Sequence, residues 1–468
     1  MTMSRRDFLS ATAALATAPG WRGSARAAAL PREADIVVIG AGAAGVAAAR
    51  RIQAANRKVI VLEAGERVGG RCITDTTTFE APFDRGARWL YNPDSPMIRL
   101  ARAAALEINP APTGQKIRIG RRNARAGEVE ELLATVVRAN RAIDEAARGR
   151  LDMACASALP KELGDWAGTV EFLLGANATG KDLKELSAWD KVRAQDRSAA
   201  LACRQGLGTL IAKAGDGLPM SLATPATRIA WGGRDVSVET PAGKIAARAA
   251  ILTVSSNVLT AGAIKFAPDL PKRTLDAASK LSLGSYDYVA LALSGNPLGL
   301  SRDDVVVEQS GDARTALMIA NTGGSSLCAV DIAGAFGRDL SAQGDAAMTA
   351  FAVEWLTKMF GSDIAKAVRK SAATRWNASP FVLGAMSAAS PGGQPSRKIL
   401  AEPIGNLFVA GEAAHETLWG SVDGAWESGE RAAEAALRKI GALKEPEPAA
   451  AERPAKKRKR GGPGASLN

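Results

Sequence analysis

The clearest hydrophobic pattern lies near the start of the chain. Ile36 to Ile39 form an unbroken apolar run, the mark of a strand buried on both faces, and Val59 to Leu62 repeat it. Between them Gly40, Gly42 and Gly45 open an alanine-rich stretch, with Ala43 and Ala44 at its start, that reads as a helix. The result is a βαβ unit whose second strand ends at Glu63 and Ala64. This is a dinucleotide fingerprint. Gly40 permits the tight turn, Gly42 lets the backbone approach a pyrophosphate, and Gly45 lets helix and strand pack closely. The helix N-terminus offers free N–H groups and a partial positive charge to the phosphates. Glu63 is placed to accept hydrogen bonds from a ribose, which argues against a 2′-phosphate.

Elsewhere the periodicity is more ordinary. Residues 96 to 200 hold helical patterns such as "EVEELLATVVRANRAIDEAARGR", with apolar positions three and four apart that suit a packed core. The stretch "LATPATRIAWGGRDVSVETPAGKIAARAAILTVSS" alternates in strand fashion across Gly-Gly and Ala-Gly turns, as a meander does. Residues 285–333 add strands, and 341–370 read as another helix. Near the end, "NLFVAGEAA" is a strand running into a loop. It is followed by the helix "DGAWESGERAAEAALRKIG", with Asp423 as its expected N-cap.

Composition narrows the class. The chain has 468 residues, 47% hydrophobic and 23% charged, which suits a globular protein of two domains. The formal charge of +12 resides largely at the ends: residues 1–29 carry +3 and 444–468 carry +4, leaving +5 for the body. No specific nucleic-acid partner is implied. Four scattered cysteines without a CxxC pair, together with a single histidine, His415, exclude an ordinary zinc site.

The N-terminal stretch "SRRDFLSATAALATAPGWRGSARAAA" resembles a twin-arginine export signal, with Arg5 and Arg6, a short apolar run and an A-x-A end. Ser10 stands where such signals usually carry lysine. A signal over 1–29 implies passage through the twin-arginine export machinery to a periplasmic or other exported location. The alternative is a disordered arm that holds two arginines. Residues 443–468, rich in proline, glycine and basic side chains, read as a disordered basic tail. It either solubilises the protein or contacts an acidic surface such as lipid headgroups.

Four segments resemble the flavin-containing amine oxidase family, which includes monoamine, polyamine and L-amino-acid oxidases. They are the fingerprint through Glu63, "ERVGGR" at 66–71, "FDRGARWL" at 83–90 and "LFVAGEAAHETLWGSVDGAWESGERAA" at 407–433. The resemblance implies an α/β fold. A doubly wound FAD-binding domain is assembled from discontinuous segments 33–95, 205–260 and 400–442, and an inserted α+β substrate domain covers 96–204 and 261–399. By resemblance Gly70 and Arg71 approach the pyrophosphate, and Gly86, Ala87, Arg88 and Trp89 lie along the flavin. Arg88 is equally open to an ion-pair role at the surface. Ala226 meets the adenine, Gly411 and Glu412 lie on the ribityl side, and Gly420, Ser421, Val422 and Asp423 point a helix N-terminus at the flavin pyrimidine.

The implied reaction oxidises a C–N bond: hydride passes from the carbon beside an amine to flavin N5, and the imine hydrolyses. No metal is needed, because the cofactor carries the chemistry. Several positions depart from the family pattern. Tyr288 stands where many members carry a lysine tied to oxygen reactivity, and Lys280 lies too far along the chain to replace it. The electron acceptor is therefore O2 or a quinone or cytochrome. Met386 and Ser421 stand where relatives often place two aromatic rings around the amine, with Trp419, Trp376 and Phe381 near in sequence. Ala385 replaces the cysteine of covalently flavinylated members, so FAD is expected to bind noncovalently. These departures keep two alternatives in view, a related flavoprotein acting on a non-amine and a FAD-loaded accessory protein without turnover. His415 reads as a supporting or surface residue.

Overall fold

The computed structural model describes residues 30–444, so the candidate export signal and all but the first two residues of the basic tail lie outside the described chain. The apolar runs of the fingerprint form Glu33–Ile39 (β1) and Val59–Leu62 (β2), parallel neighbours with Ile36 opposite Val59. Helix Ala43–Ala54 (α1) connects them. On its other edge β1 pairs in parallel with Gly243–Leu252 (β3). The meander Arg228–Ala230, Val236–Thr240 and β3 extends the sheet antiparallel, and Leu407–Val409 takes over the edge of β3 beyond it. The finished sheet has eight strands.

The reason β1 is apolar throughout is visible in its two faces. Val37 and Ile39 join the core beneath the meander, whereas Ile36 and Val38 join a core formed with α1 and the closing helix Val422–Lys439 (α2). Each such side chain contributes roughly 1.5–3 kcal/mol when fully buried. The two helices meet through small residues, with Ala44, Ala48 and Ala49 facing Ala432, Ala433 and Ala436. A Cβ at Gly429 would collide with the carbonyl oxygen of Ala44. Only glycine allows this approach.

A second sheet of seven strands is built around the antiparallel pair Tyr286–Leu293 (β4) and Leu327–Ala333 (β5), with Tyr288 opposite Asp331. Its alternation separates two environments. Val289, Leu291 and Val330 face a core closed by Trp355 and Met359 of helix Asp345–Phe360. Tyr286, Tyr288, Ala290 and Ala329 face the other way, toward Phe83 and Phe172. That second face forms part of the candidate site.

Two expectations need correction. The stretch 341–370 is not one helix: Gly344 and Gly361, each at φ 104°, end helical segments, and Val368–Ala373 is a strand on the edge of β4. The domain boundaries also move. Lys265–Ala267 pairs with Arg228–Ala230 in the first sheet, and Ala278 and Leu281 pack in its core. Helix Pro96–Ala103 likewise packs against α1 through Met97, Ile98 and Ala101. Residues 96–103 and 261–281 therefore pack with the first sheet and its helices, outside the substrate-domain bounds expected for them.

The Gly429→Ala variant is expected to lose about 1–3 kcal/mol of stability by forcing α1 and α2 apart, read as a lower denaturant midpoint. An unchanged midpoint would refute the close crossing.

Candidate active site

The glycine turn and its neighbours form a cradle. Gly42 caps α1 without any side-chain bond, so the first N–H groups of that helix are left for a ligand. Gly42 also forms a bridge with Gly69, and a Cβ at Gly70 would stand 3.1 Å from Gly42 Cα. At the end of β2 Glu63 accepts from Ala41 N and Gly65 N, both at 2.7 Å. The backbone of 223–224 closes on the same corner, with Thr224 N donating to Glu63 O at 2.7 Å, two residues before buried Ala226. Ala64 continues the corner. Uncapped N–H groups, close glycines and an acid at the strand end fit a dinucleotide cofactor.

Glu412 is the hub of the site. It is 5% exposed and accepts from Arg71 Nη1 at 2.8 Å, Ser387 Oγ at 2.6 Å and Gly420 N at 2.8 Å. Burial pushes its carboxyl up, but Arg71 and the Ser387 hydroxyl more than offset this and hold it below the usual range. Arg71 also donates to Ala385 O at 2.6 Å. Ser387 leads on to Arg397, which is wholly buried and makes a bidentate pair with Asp190, both bonds 2.7 Å. One network thus runs from the glycine-rich loop to the helical segment. Its more distant members, Ser387, Arg397 and Asp190, gave no signal in the sequence.

Arg88 enters from the loop after Gly86. The Ala87 amide anchors this loop, donating to Arg71 O at 3.1 Å. Arg88 is a buried ion-pair partner, not a surface one. It bonds to Asp331, and its guanidinium lies 4.0 Å from the Tyr288 ring centroid and 5.5 Å from that of Trp89. Tyr286 Oη donates to the same carboxylate at 2.8 Å. Burial raises the Asp331 pKa while Arg88 and Tyr286 pull it back. The signals for Tyr286 and Asp331 were present, as a tyrosine two residues from Tyr288 and an acid inside an apolar strand. Met386 packs on this apolar face and lies 3.5 Å from where a Cβ of Gly420 would stand.

Other expectations change. Ser421, not Asp423, caps α2: its Oγ accepts from Gly424 N at 3.0 Å and donates to Leu418 O at 2.5 Å. Its hydroxyl is committed to the turn and does not frame a chamber. Asp423 instead accepts from Tyr91 N at 2.7 Å and ties α2 to the loop beyond Trp89, while Val422 is core. Gly411 N donates to Ser428 Oγ at 3.0 Å, fixing the chain just before Glu412. Trp419 is 1% exposed and flanked by Arg197 and Arg397 at 4.8 and 4.7 Å, so it lines no open chamber. Trp376 lies behind Gly86 and donates to Arg85 O, and Phe381 is exposed. His415 Nδ1 accepts from Leu418 N at 2.9 Å, which puts its proton on Nε2, facing Glu427 at 3.0 Å. It positions a loop.

A profile of the flavin-containing amine oxidoreductases matches residues 43–437. The chain belongs to this family. The oxidoreductase is 29% identical over 450 residues to polyamine oxidase 5 of Oryza sativa subsp. japonica, covering 87% of this chain and 88% of that protein. It is 26% identical to human lysine-specific histone demethylase 2, with 85% of this chain and 53% of that protein covered. Cyclohexylamine oxidase from Brevibacterium oxydans IH-35A shares the fold, with a TM-score of 0.73 at 19% identity over 87% of this chain and 99% of that one. A putrescine oxidase with redesigned cofactor binding does so equally, at 18% identity over the same shares. The protein is an FAD-dependent amine oxidoreductase, and its cradle residues suit that cofactor.

Two outcomes follow for the oxidoreductase. Asp190→Ala strands the buried Arg397 charge and is expected to cost about 3–5 kcal/mol, read by chemical denaturation. A loss under ~1 kcal/mol would mean that the pair is not part of the framework. Asp287, which holds Trp376 N and Thr374 Oγ1 at 2.9 Å, is pushed by burial from 3.8 to about 6. Its protonated form favours folding, so this contribution is full below pH 3.8 and fades as the pH rises through about 6. Relative to wild type, Asp287→Asn should gain on the order of 2 kcal/mol between pH 4 and 7, and a pH-independent difference in melting would contradict the assignment.

Proposed function

We propose that this oxidoreductase oxidises the carbon–nitrogen bond of a small amine in a chamber between the glycine cradle and the inner face of the second sheet. FAD, when bound, supplies the two-electron acceptor that turns the C–N bond into an imine, which water then hydrolyses. The observation that carries this reading is the position of Met386, which packs on the aromatic-lined face and lies 3.5 Å from where a Cβ of Gly420 would stand, beside the Glu412 hub. Uncapped N–H groups of α1 and Arg71 bind the diphosphate, Glu63 takes the ribose, and Glu412 fixes the ribityl-side loop. The positive end of α2 at Gly420–Val422 would favour an anionic part of a cofactor bound beside it. Tyr288 and Met386 keep water from the reacting carbon and orient the substrate by packing.

Three finer assignments belong to the same proposal. Ala385 has no thiol for a covalent link, so FAD is held noncovalently and is expected in the supernatant after acid precipitation. Tyr288 in place of a lysine favours a quinone or cytochrome acceptor over O2. The first 29 residues direct export by the twin-arginine machinery to the periplasm or an equivalent compartment. Replacing Arg5 and Arg6 with lysine should retain the folded protein inside the cell, and export of that variant would overturn the last assignment.

The main test is anaerobic mixing of the FAD-loaded protein with amines, amino acids and polyamines, following bleaching near ~450 nm. Bleaching by at least one amine is expected. A flavin that stays oxidised with every amine defeats the proposal, and rapid reoxidation by air with none by a quinone or cytochrome defeats the acceptor assignment.

A further inference from the structure

Large apolar side chains are rarely exposed in this chain, and most of those that are belong to one region. Leu133 and Val137 stand four residues apart on the outer face of helix Ala126–Ala146, Leu151 and Met153 lie in the turn that follows it, and Val192 lies on helix Ala188–Arg193. Leu151 is the extreme case, at 81% exposed. The turn and the second helix form one surface. Ala188 N donates to Met153 O at 2.9 Å and Trp189 N to Asp152 Oδ1 at 3.1 Å, and a cavity of about 210 Å³ is lined by Ala147, Gly149, Trp189, Val192 and Arg193.

The charge of this surface is one-sided. Arg148, Arg150 and Arg193 are exposed; the first two form no ion pair among the described residues, and Arg193 bonds to the neutral Gln394. The acids close by are already engaged. Glu145 pairs with Arg141 at 3.0 Å, Asp152 accepts from Ser187 Oγ at 2.6 Å and Gly392 N at 2.7 Å, and Asp196 accepts from Ser198 N at 2.9 Å. The exposed Glu130 and Glu131 lie at the far end of the helix, about 20 Å along its axis. Three free guanidinium groups thus surround apolar side chains that project into solvent.

We propose that this face docks on the surface of an anionic phospholipid bilayer. Arg148, Arg150 and Arg193 meet the lipid phosphates, while Leu151, Met153 and Val192 enter the boundary between headgroups and acyl chains. The mixture of residue types is what selects a bilayer over a protein partner. A protein interface gathers its apolar residues at a core depleted of charge, whereas here each apolar side chain stands beside an arginine. A lipid interface takes both at once, because a long basic side chain keeps its head at the phosphates while its apolar neighbour goes deeper. No helix among the described residues is long and apolar enough to cross a membrane, and the contact proposed is peripheral. It does not rest on the amine-oxidising reading, since none of these side chains belongs to the cradle.

The test is co-sedimentation of the FAD-loaded full chain with vesicles of phosphatidylglycerol and phosphatidylcholine, against vesicles of phosphatidylcholine alone. Binding is expected to the anionic vesicles and to fall with added salt. The triple variant Arg148→Gln/Arg150→Gln/Arg193→Gln should bind them about 100-fold more weakly, with FAD content and melting unchanged because all three side chains are exposed. Leu151→Ser leaves the charge as it is and should cost about 5- to 10-fold. Amide exchange should slow over residues 147–153 and 189–193 when anionic vesicles are added. The run of basic residues at 456–460 is present in every variant, so vesicle binding by the triple variant equal to that of the wild type would assign the contact to that run and overturn the proposal. Failure of the full chain to sediment with anionic vesicles overturns it as well. Loss of binding to inorganic phosphate at matched ionic strength would reduce the face to a site for the free anion. Slowed exchange in the same segments without vesicles, rising with protein concentration, would make the occupant a second copy of the chain, and either result defeats the lipid assignment.

Discussion

A buried carboxylate is tolerated only when its neighbours replace the water it has lost, and Glu412 shows what such neighbours organise. Its oxygens are held by a guanidinium, a hydroxyl and a backbone amide drawn from three parts of the chain. Removing any one donor leaves the charge short of a partner in a low-dielectric setting. The glycine-rich loop, the Ala385–Ser387 segment and the turn before α2 are thus tied to one another at a single point. Through Ser387 the constraint reaches Arg397 and Asp190, where the pair is bidentate and wholly enclosed. Buried ion pairs add uncertain net stability, but they allow few alternative arrangements of the segments that carry them.

Packing supports this electrostatic arrangement. The alanines of α1 and α2 and the glycine at their crossing let two helices share one face of the first sheet at short range. The α1 terminus is thereby kept beside the loop that Arg71 ends. The second sheet supplies a different surface, with an apolar core on one side and a tyrosine-lined floor on the other. Strict alternation along β4 is what separates the two.

Some of this was legible in the sequence because it is local. Strand, glycine turn, helix and Glu63 occupy one continuous stretch, so spacing alone placed them, and the meander declared itself by its turns. The helix breaks at Gly344 and Gly361 were also written in the sequence, but a helical pattern on both sides masked them. Ser421 and Asp423 are both good caps, and the choice between them was made by a distant partner, since the Tyr91 amide draws Asp423 away. Arg88 carried no sign of its direction, because the partner that draws it inward, Asp331, lies 243 residues along the chain. The bond between Arg397 and Asp190 spans 207 residues and follows no periodicity. Short-range order was readable, whereas long-range charge pairing was set by the folded topology.

The crossing of α1 and α2 also has a consequence in time. The fingerprint lies near the beginning of the described chain, yet the helix that packs on α1 and presents the Gly420–Val422 turn is the last element among the described residues. At a synthesis rate of ~5–20 residues per second, roughly 20 to 75 seconds separate α1 from its partner. Throughout that interval the alanine face of α1 and one side of β1 remain uncovered. The early half of the cradle therefore has no lasting shape until α2 has been made, which ties assembly of the cofactor site to an element far downstream of the fingerprint.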